Sequence, residues 1–236
     1  MRQRNGTIWI VLGLLLLVAA AALTGYNLQE ANRAKASADA LLEALKPALP
    51  EPPGDADPAA GGPDKQPDFV RFPDMEMPVK IVNGMELVGV LSIPTLDLTL
   101  PVLSTWSYPD LQAAPCRYSG SAYQHNLVLA GHNYPAHFGL LSRLREGDAV
   151  RFTDMDGNVF SYQVTGQERL SPTAVEAMTA GEDWDLTLFT CTLDGQTRVT
   201  VRCTLTGAAA AGAPQAYKAS RRRADRSQRT AQSAGS

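Results

Sequence analysis

TLFTCTLDGQTRVTV, residues 187–201, reads as two strands joined by a tight turn. Leu186, Leu188 and Thr190 alternate with Thr187, Phe189 and Cys191, a period-2 run rich in strand formers. Asp194-Gly195 is the signal of a two-residue type I′ hairpin, because Gly tolerates positive φ and Asp nearly so. Arg198-Val199-Thr200-Val201 resumes the alternation. Counting outward from the turn, Leu193 faces Gln196, Thr192 faces Thr197, and Cys191 faces Arg198. Directly opposed residues share one face of the ladder, with Cβ atoms roughly 4.5–5.5 Å apart. The spacing therefore predicts a thiol beside a guanidinium. A fixed cation favours the nucleophilic thiolate and can hold an oxyanion. The same spacing fits a core cysteine next to a solvated arginine equally well.

The rest of the C-terminal half has the same texture. GVLSIPTLDLTLPVLS (89–104) alternates Leu96, Leu98 and Leu100 with Asp97 and Thr99, and NLVLAG (126–131) is a short apolar run like a buried strand. DAVRFTDMDGNVFSYQVTGQERL (148–170) gives two strands around Asp156-Gly157. DLTLFTCT and RVTVRCTL close the unit near Gly207, and HFGLLSRLR (137–145) is one short helical candidate. The expectation is a mostly β domain, a barrel or sandwich of seven or eight strands. DMDGN at 154–158 has the opening of a calcium loop, but its twelfth position is Thr165 rather than glutamate, so it reads as a turn. No cluster of His, Cys and carboxylates suggests a metal, and no cofactor is implied.

The chain has 236 residues, 44% of them hydrophobic, and a net charge of −3, which gives no case for nucleic acid as a partner. Three cysteines make no disulfide framework. Cys203 alternates with Arg198 and points inward, where a pairing with Cys116 is one option. Arg2 and Arg4 precede an apolar run over Ile8–Leu23 that continues to Tyr26, about the 20 residues a bilayer needs. The charges before it predict a cytoplasmic segment at 1–6, an uncleaved transmembrane anchor at 7–26, and the bulk of the chain outside the cytoplasm. Residues 27–47, with Leu28, Ala31, Leu41, Leu42 and Leu45, form a helical stalk. Nine of the chain's 16 prolines fall in 47–78, so 48–78 is expected to be a semi-rigid linker holding a domain (79–207) away from the membrane. Residues 208–236, with six Lys and Arg in the stretch, are expected to make a basic disordered tail, either solubilising or drawn to anionic lipid or wall polymer.

A thiol nucleophile needs a proton partner. Of three histidines, His125 looks like a loop residue and His137 like a helix cap. His132, in AGHNYP, stands just past the end of an apolar strand, where a rigid scaffold displays reactive groups. A purely structural role fits such a histidine as well.

These segments together resemble the sortase family. TLFTC (187–191) fits its Thr-Leu-x-Thr-Cys signature, LVLAGH (127–132) is similar to its histidine-bearing strand, and RVTV (198–201) to its arginine-bearing strand. GVLSIPTLDLTLPV (89–102) is similar to its opening strands, and the order His, Cys, Arg matches over about 85–207. The resemblance implies an eight-stranded sortase-type β-barrel with short helices, preceded by an N-terminal transmembrane helix. It implies a transpeptidase of a Gram-positive cell membrane, single-pass type II with the catalytic domain extracellular. Cys191 would attack an LPxTG-like sorting signal, His132 would move the protons, and Arg198 would hold the oxyanion. Thr190 and Asn133 would line the substrate site. The acyl group would pass to an amine of lipid II, peptidoglycan or a pilin lysine. Arg202, one pair further along the same face, is a weaker rival for the cation. GHNYPAHFGLLSRLREGDAV (131–150) resembles class B and clostridial-type members, while residues 166–184 have room only for a short helix, so class B, class D and pilin-type remain alternatives. A membrane-tethered cysteine protease would use the same residues, and a noncatalytic wall-binding scaffold would use only the tail.

Overall fold

Alternating segments from residue 80 onward pair into nine strands in the computed structural model, which describes residues 3–48, 67–179, 183–192 and 194–209. They are β1 (Lys80–Val82), β2 (Met85–Ile93), β3 (Leu98–Leu103), β4 (Cys116–Ser119), β5 (Leu127–Ala130), β6 (Ala149–Asp154), β7 (Val159–Leu170), β8 (Leu186–Cys191) and β9 (Arg198–Ala209). The order is β1-β2-β3-β4-β5-β8-β9-β7-β6, and β6 pairs back onto β2. Eight strands thus close a ring, with β1 lying outside it as an extension on β2, so the architecture is the expected eight-stranded barrel. Closure leaves the ring without a free edge.

Alternation sorts the side chains into two layers. Leu91, Ile93, Leu127, Leu129, Phe152, Phe160, Leu186, Leu188 and Val201 fill the interior. Leu103, Cys116, Val128, Ala130 and Phe189 belong to a second apolar cluster on the outer face. Cys203 lies in the inner cluster and Cys116 in the outer one, and all three thiols are free, so the optional Cys116–Cys203 bridge is not formed. The turn at 154–158 is organised by buried Asp154, which accepts from the backbone N–H of Asp156 and Asn158 and from the Tyr123 hydroxyl.

Two expectations about the N-terminal half change. One unbroken helix, α1 (Gln3–Leu45), contains both the apolar run and the stalk. Its lower half is not a free stalk: Ala34, Ala38, Leu41 and Leu45 are buried against the barrel. The spacing of 4, 3 and 4 is the period of one helix face. Leu28, counted in the expected stripe, is 62% exposed; alanines do the docking because their small size lets the helix lie close. The domain also starts earlier than residue 79. Phe69, in the short helix α2 (Asp68–Arg71), is buried with its ring 5.5 Å from Tyr123 and 5.1 Å from Phe160, and Met77 is buried too. Two further short helices, α3 (Tyr108–Ala113) and α4 (Val175–Thr179), sit between strands. The candidate helix at 137–145 is reduced to a 3-10 turn at Leu141–Arg143. The prolines from 50 to 63, Leu193, and the tail beyond 209 lie outside the described residues.

Candidate active site

The site is built by the order of three strands. β8 runs parallel to β5 with Ala130 level with Phe189, and Gly131 N donates to Phe189 O at 3.1 Å. His132 follows two residues past the end of β5. On its other side β8 pairs antiparallel with β9, and Cys191 is the direct partner of Arg198. The loop with His132, the end of β8 with Cys191 and the start of β9 with Arg198 thus come from neighbouring strands. Phe189 and Cys191 share the outer face, because Leu188 between them points into the barrel. His132, Cys191 and Arg198 are each half-buried.

The hairpin keeps the expected register of Cys191 with Arg198. Gly195 has φ 69°, the left-handed region that glycine tolerates. Gly195 N donates to Thr192 O at 2.9 Å, Thr192 N donates to Thr197 O at 2.9 Å, and the Asp194 carboxylate accepts from the Thr192 hydroxyl and from Gln196 N. Asp194 is a turn-building residue, and the pairing of Thr192 with Thr197 carries Cys191 to Arg198.

The cation next to the thiol is lightly held. The Arg198 guanidinium has two long bonds, both 3.4 Å, to the carbonyls of Gly195 and Thr197, and no carboxylate partner among the described residues. Its donors are available to a ligand. Arg202 differs in every respect. It lies opposite Thr187, 5% exposed, and its head is bonded to Glu168, Thr187 and the carbonyls of Ala177 and Met178. It is not a rival for the thiol.

His132 sits in a loop folded tightly under β5. Phe138 N donates to His132 O at 3.1 Å, and Gly139 N donates to Tyr134 O at 2.9 Å. Gly131 makes this possible: a Cβ there would stand 2.6 Å from the Phe138 ring. The Tyr134 ring lies 5.0 Å from that of His132 at 34°, and burial lowers the His132 pKa below 6.5. The imidazole has no side-chain hydrogen bond or ion pair among the described residues, so no carboxylate orients it. Asn133 is half-buried in the same loop.

Thr190 is the site residue the structure corrects. It alternates with Cys191 and follows Leu186 and Leu188 into the barrel, 3% exposed, its hydroxyl without a partner among the described residues. Its side chain cannot line a groove on the opposite face. His125 is a turn residue with φ 59°, its Nδ1 3.6 Å from Asp185. His137 is no helix cap: it is 0% exposed, and burial pulls its pKa down to about 4. Sequence reading missed Met178 of α4, which is buried in the same outer apolar cluster as Phe189. An isolated methionine in a short helix gives no signal of its own.

Residues 91–206 match the family model described as Sortase domain. The chain is similar to sortase A of Bacillus anthracis, 29% identical over 131 residues, or 53% of this chain and 60% of that protein. It is also similar to sortase A of Listeria monocytogenes, 27% identical over 146 residues, or 58% of this chain and 64% of that protein. The chain thus spans somewhat less than two thirds of the length of these curated relatives. Among solved structures it is similar to sortase E from Streptomyces avermitilis, with 26% identity, a TM-score of 0.46, and 55% of this chain and 93% of that chain covered. A Clostridium perfringens sortase D5 transpeptidase gives 21% identity, a TM-score of 0.47, and coverage of 54% and 83%.

Proposed function

We propose that the chain is a sortase, on the match of residues 91–206 to the Sortase domain, and that it is a membrane-anchored cysteine transpeptidase. The observation that carries the reading is the pairing of Cys191 with Arg198 across β8 and β9, with β5, which leads into His132, on the other side of β8 and no carboxylate on Arg198 among the described residues. The long apolar stretch of α1 supports the anchor, with Arg2 and Arg4 on the cytoplasmic side and the barrel outside.

The chemistry follows from the three groups. Burial keeps the His132 imidazole neutral near pH 7, so it accepts the Cys191 proton as Sγ bonds to the threonine carbonyl carbon of an LPxTG-like sorting signal. Charge moves onto the carbonyl oxygen, and Arg198 donates to it from the neighbouring strand. The C–N bond breaks as the imidazolium returns its proton to the leaving amine, and a thioester remains on Cys191. An incoming amine, from lipid II, peptidoglycan or a pilin lysine, loses a proton to His132 and attacks the thioester. The C–S bond then breaks and the thiol is restored. Asn133, in the histidine's own loop, stands where it can meet the bound peptide. Thr190 has no part in this scheme.

The test uses the full chain in detergent micelles with a panel of LPxTG-like peptides, followed by intact mass. The expected result is an acyl adduct on Cys191 that an added amine converts to ligated peptide, and none in Cys191→Ala. Hydrolysed peptide alone, whatever amine is supplied, would make the chain a cysteine protease. An adduct that survives in Cys191→Ala would remove the thiol from the mechanism.

A further inference from the structure

The apolar stretch of α1 and its docked stretch belong to one rod. Ile8–Tyr26 is about 28 Å long at 1.5 Å per residue, close to the roughly 30 Å of a bilayer's hydrocarbon core. Glu30 is the first charged residue after it. Tyr26 therefore marks the outer hydrocarbon boundary, where tyrosine is enriched. The helix does not end there. Ala34, Ala38, Leu41 and Leu45 follow and are buried against the barrel, and the sequence has no proline before Pro47 to kink the rod.

The part of the barrel that meets α1 nearest the bilayer is the loop of His132. The side chains of Glu30 and Tyr26 stand close enough to act on the Tyr134 hydroxyl. The Ala34 carbonyl faces the buried His137 ring, and Ala38 shares an apolar cluster with Phe138. Within the loop the Tyr134 ring lies 5.9 Å from that of His137 and 5.0 Å from that of His132. His137 N donates to Tyr134 O at 2.9 Å, and Phe138 N donates to His132 O at 3.1 Å. Contacts thus run without a gap from the helix to the imidazole. Glu30 and Ala34 lie four and eight residues beyond Tyr26, roughly 6 and 12 Å along the axis. The headgroup layer adds only about 5–8 Å to each side of the core. The catalytic loop is held at the top of the headgroups, not at the end of a free stalk.

We propose that docked α1 fixes the height of the active site above the bilayer, and so selects acyl-donor peptides by the length of chain that tethers them to the same membrane. The inference rests on the anchor and transpeptidase readings above, but the height is measured without turnover. A site on a free stalk would sample many heights and accept many tether lengths. A site on a rigid helix meets only those tethers that span the gap, and tethers longer than the gap dilute their peptide.

The experiment uses the full chain reconstituted in lipid vesicles. Cys191 is half-buried while Cys116 and Cys203 are buried, so a thiol dye labels Cys191. Energy transfer from that dye to headgroup-labelled lipid reports the height. Seven helix-forming residues inserted after Tyr26 lift the barrel about 10 Å through nearly two turns, so the docked face keeps its bearing. Transfer should fall in this variant. Unlabelled protein is then given an LPxTG-like peptide tethered to lipid by about four, eight or sixteen residues, and the same peptide free in solution. An extended residue spans at most about 3.3–3.6 Å, so about four residues reach the wild-type site. Effective concentration falls as the −3/2 power of tether length, so wild type should turn over the shortest-tethered peptide about eightfold faster than the longest. In the insertion variant the shortest-tethered peptide should lose about tenfold, because its tether no longer spans the gap, and the middle length becomes the best. The free peptide should react alike with both. Turnover in wild type that is indifferent to tether length overturns the proposal, as do equal transfer and an equal preference in the two chains. If the variant loses the free peptide as well, it is misfolded and the wild-type series decides alone. If wild type forms no adduct on Cys191 with any peptide while transfer falls as expected, the transpeptidase reading fails and the fixed height stands. A chain that does not float with the vesicles overturns the anchor and the height together.

Discussion

Among the described residues no carboxylate bonds the His132 imidazole, and burial is the one cause of its shifted protonation. Burial lowers its pKa below 6.5, and the Tyr134 ring lies 5.0 Å away. Only the neutral imidazole accepts the thiol proton, so activity is present above that lowered pKa and is lost as pH falls through it. The acidic limb of kcat/KM should therefore lie below pH 6.5. Tyr134→Ala lets water reach the ring and should move that limb up toward 6.5, with the fold retained because Tyr134 is half-buried in a loop. A limb that does not move in Tyr134→Ala would mean that the ring does not shield the imidazole. At this scale the sequence was informative about types and order. A thiol after a strand, a histidine after another and an arginine after a turn were all readable. The side of Thr190 was readable too, by strict alternation with Cys191. The resemblance assigned it to the substrate site, whereas neighbours along a strand point to opposite faces.

The elements explain why three distant residues meet. The β8–β9 register was legible because alternation on both strands and a Gly-containing turn leave few pairings. The carboxylate of Asp194 holds the turn by accepting from the Thr192 hydroxyl and from Gln196 N. The β5–β8 neighbourhood was invisible in the sequence, since parallel pairing spans more than fifty residues and carries no local signal. It is here that Gly131 matters. A methyl group there would meet the Phe138 ring at 2.6 Å, and the loop that ends β5 would have to move. Gly131→Ala should cost about 1–3 kcal/mol by overpacking. It should lower kcat by about a hundredfold, as a displacement near 1 Å in a reacting group does. Thermal melting and single-turnover acylation separate the two effects. Full turnover in a folded Gly131→Ala would show that the loop relaxes without moving His132.

The whole molecule is tied together by α1, which runs from the apolar stretch into the barrel surface without a break. The sequence suggested a stalk and a proline-rich spacer because the docking face is made of Ala34 and Ala38, which carry little hydrophobic signal. What it docks on includes His137, buried in the loop that also carries His132, with the carbonyl of Ala34 facing its ring. Burial is the main cause of its lowered pKa; that carbonyl offsets a part, and His132 adds a further lowering. Neither ring nitrogen completes a hydrogen bond among the described residues. A histidine held neutral in the fold, at about 4 against 6.5 when unfolded, makes stability depend on pH. Above 6.5 neither state binds a proton there, and the contribution is complete. As pH falls from 6.5 toward 4 the unfolded chain takes up a proton that the folded chain refuses, so stability is lost, by about 3 kcal/mol over the full interval. His137→Phe fills the same space and cannot titrate. In urea titrations of the full chain in micelles, wild type should lose more stability between pH 7.5 and pH 5 than His137→Phe does, because other titrating groups are common to both. Equal losses would mean that α1 does not keep His137 neutral, and that the helix sits more loosely on the active-site loop than its buried alanines require.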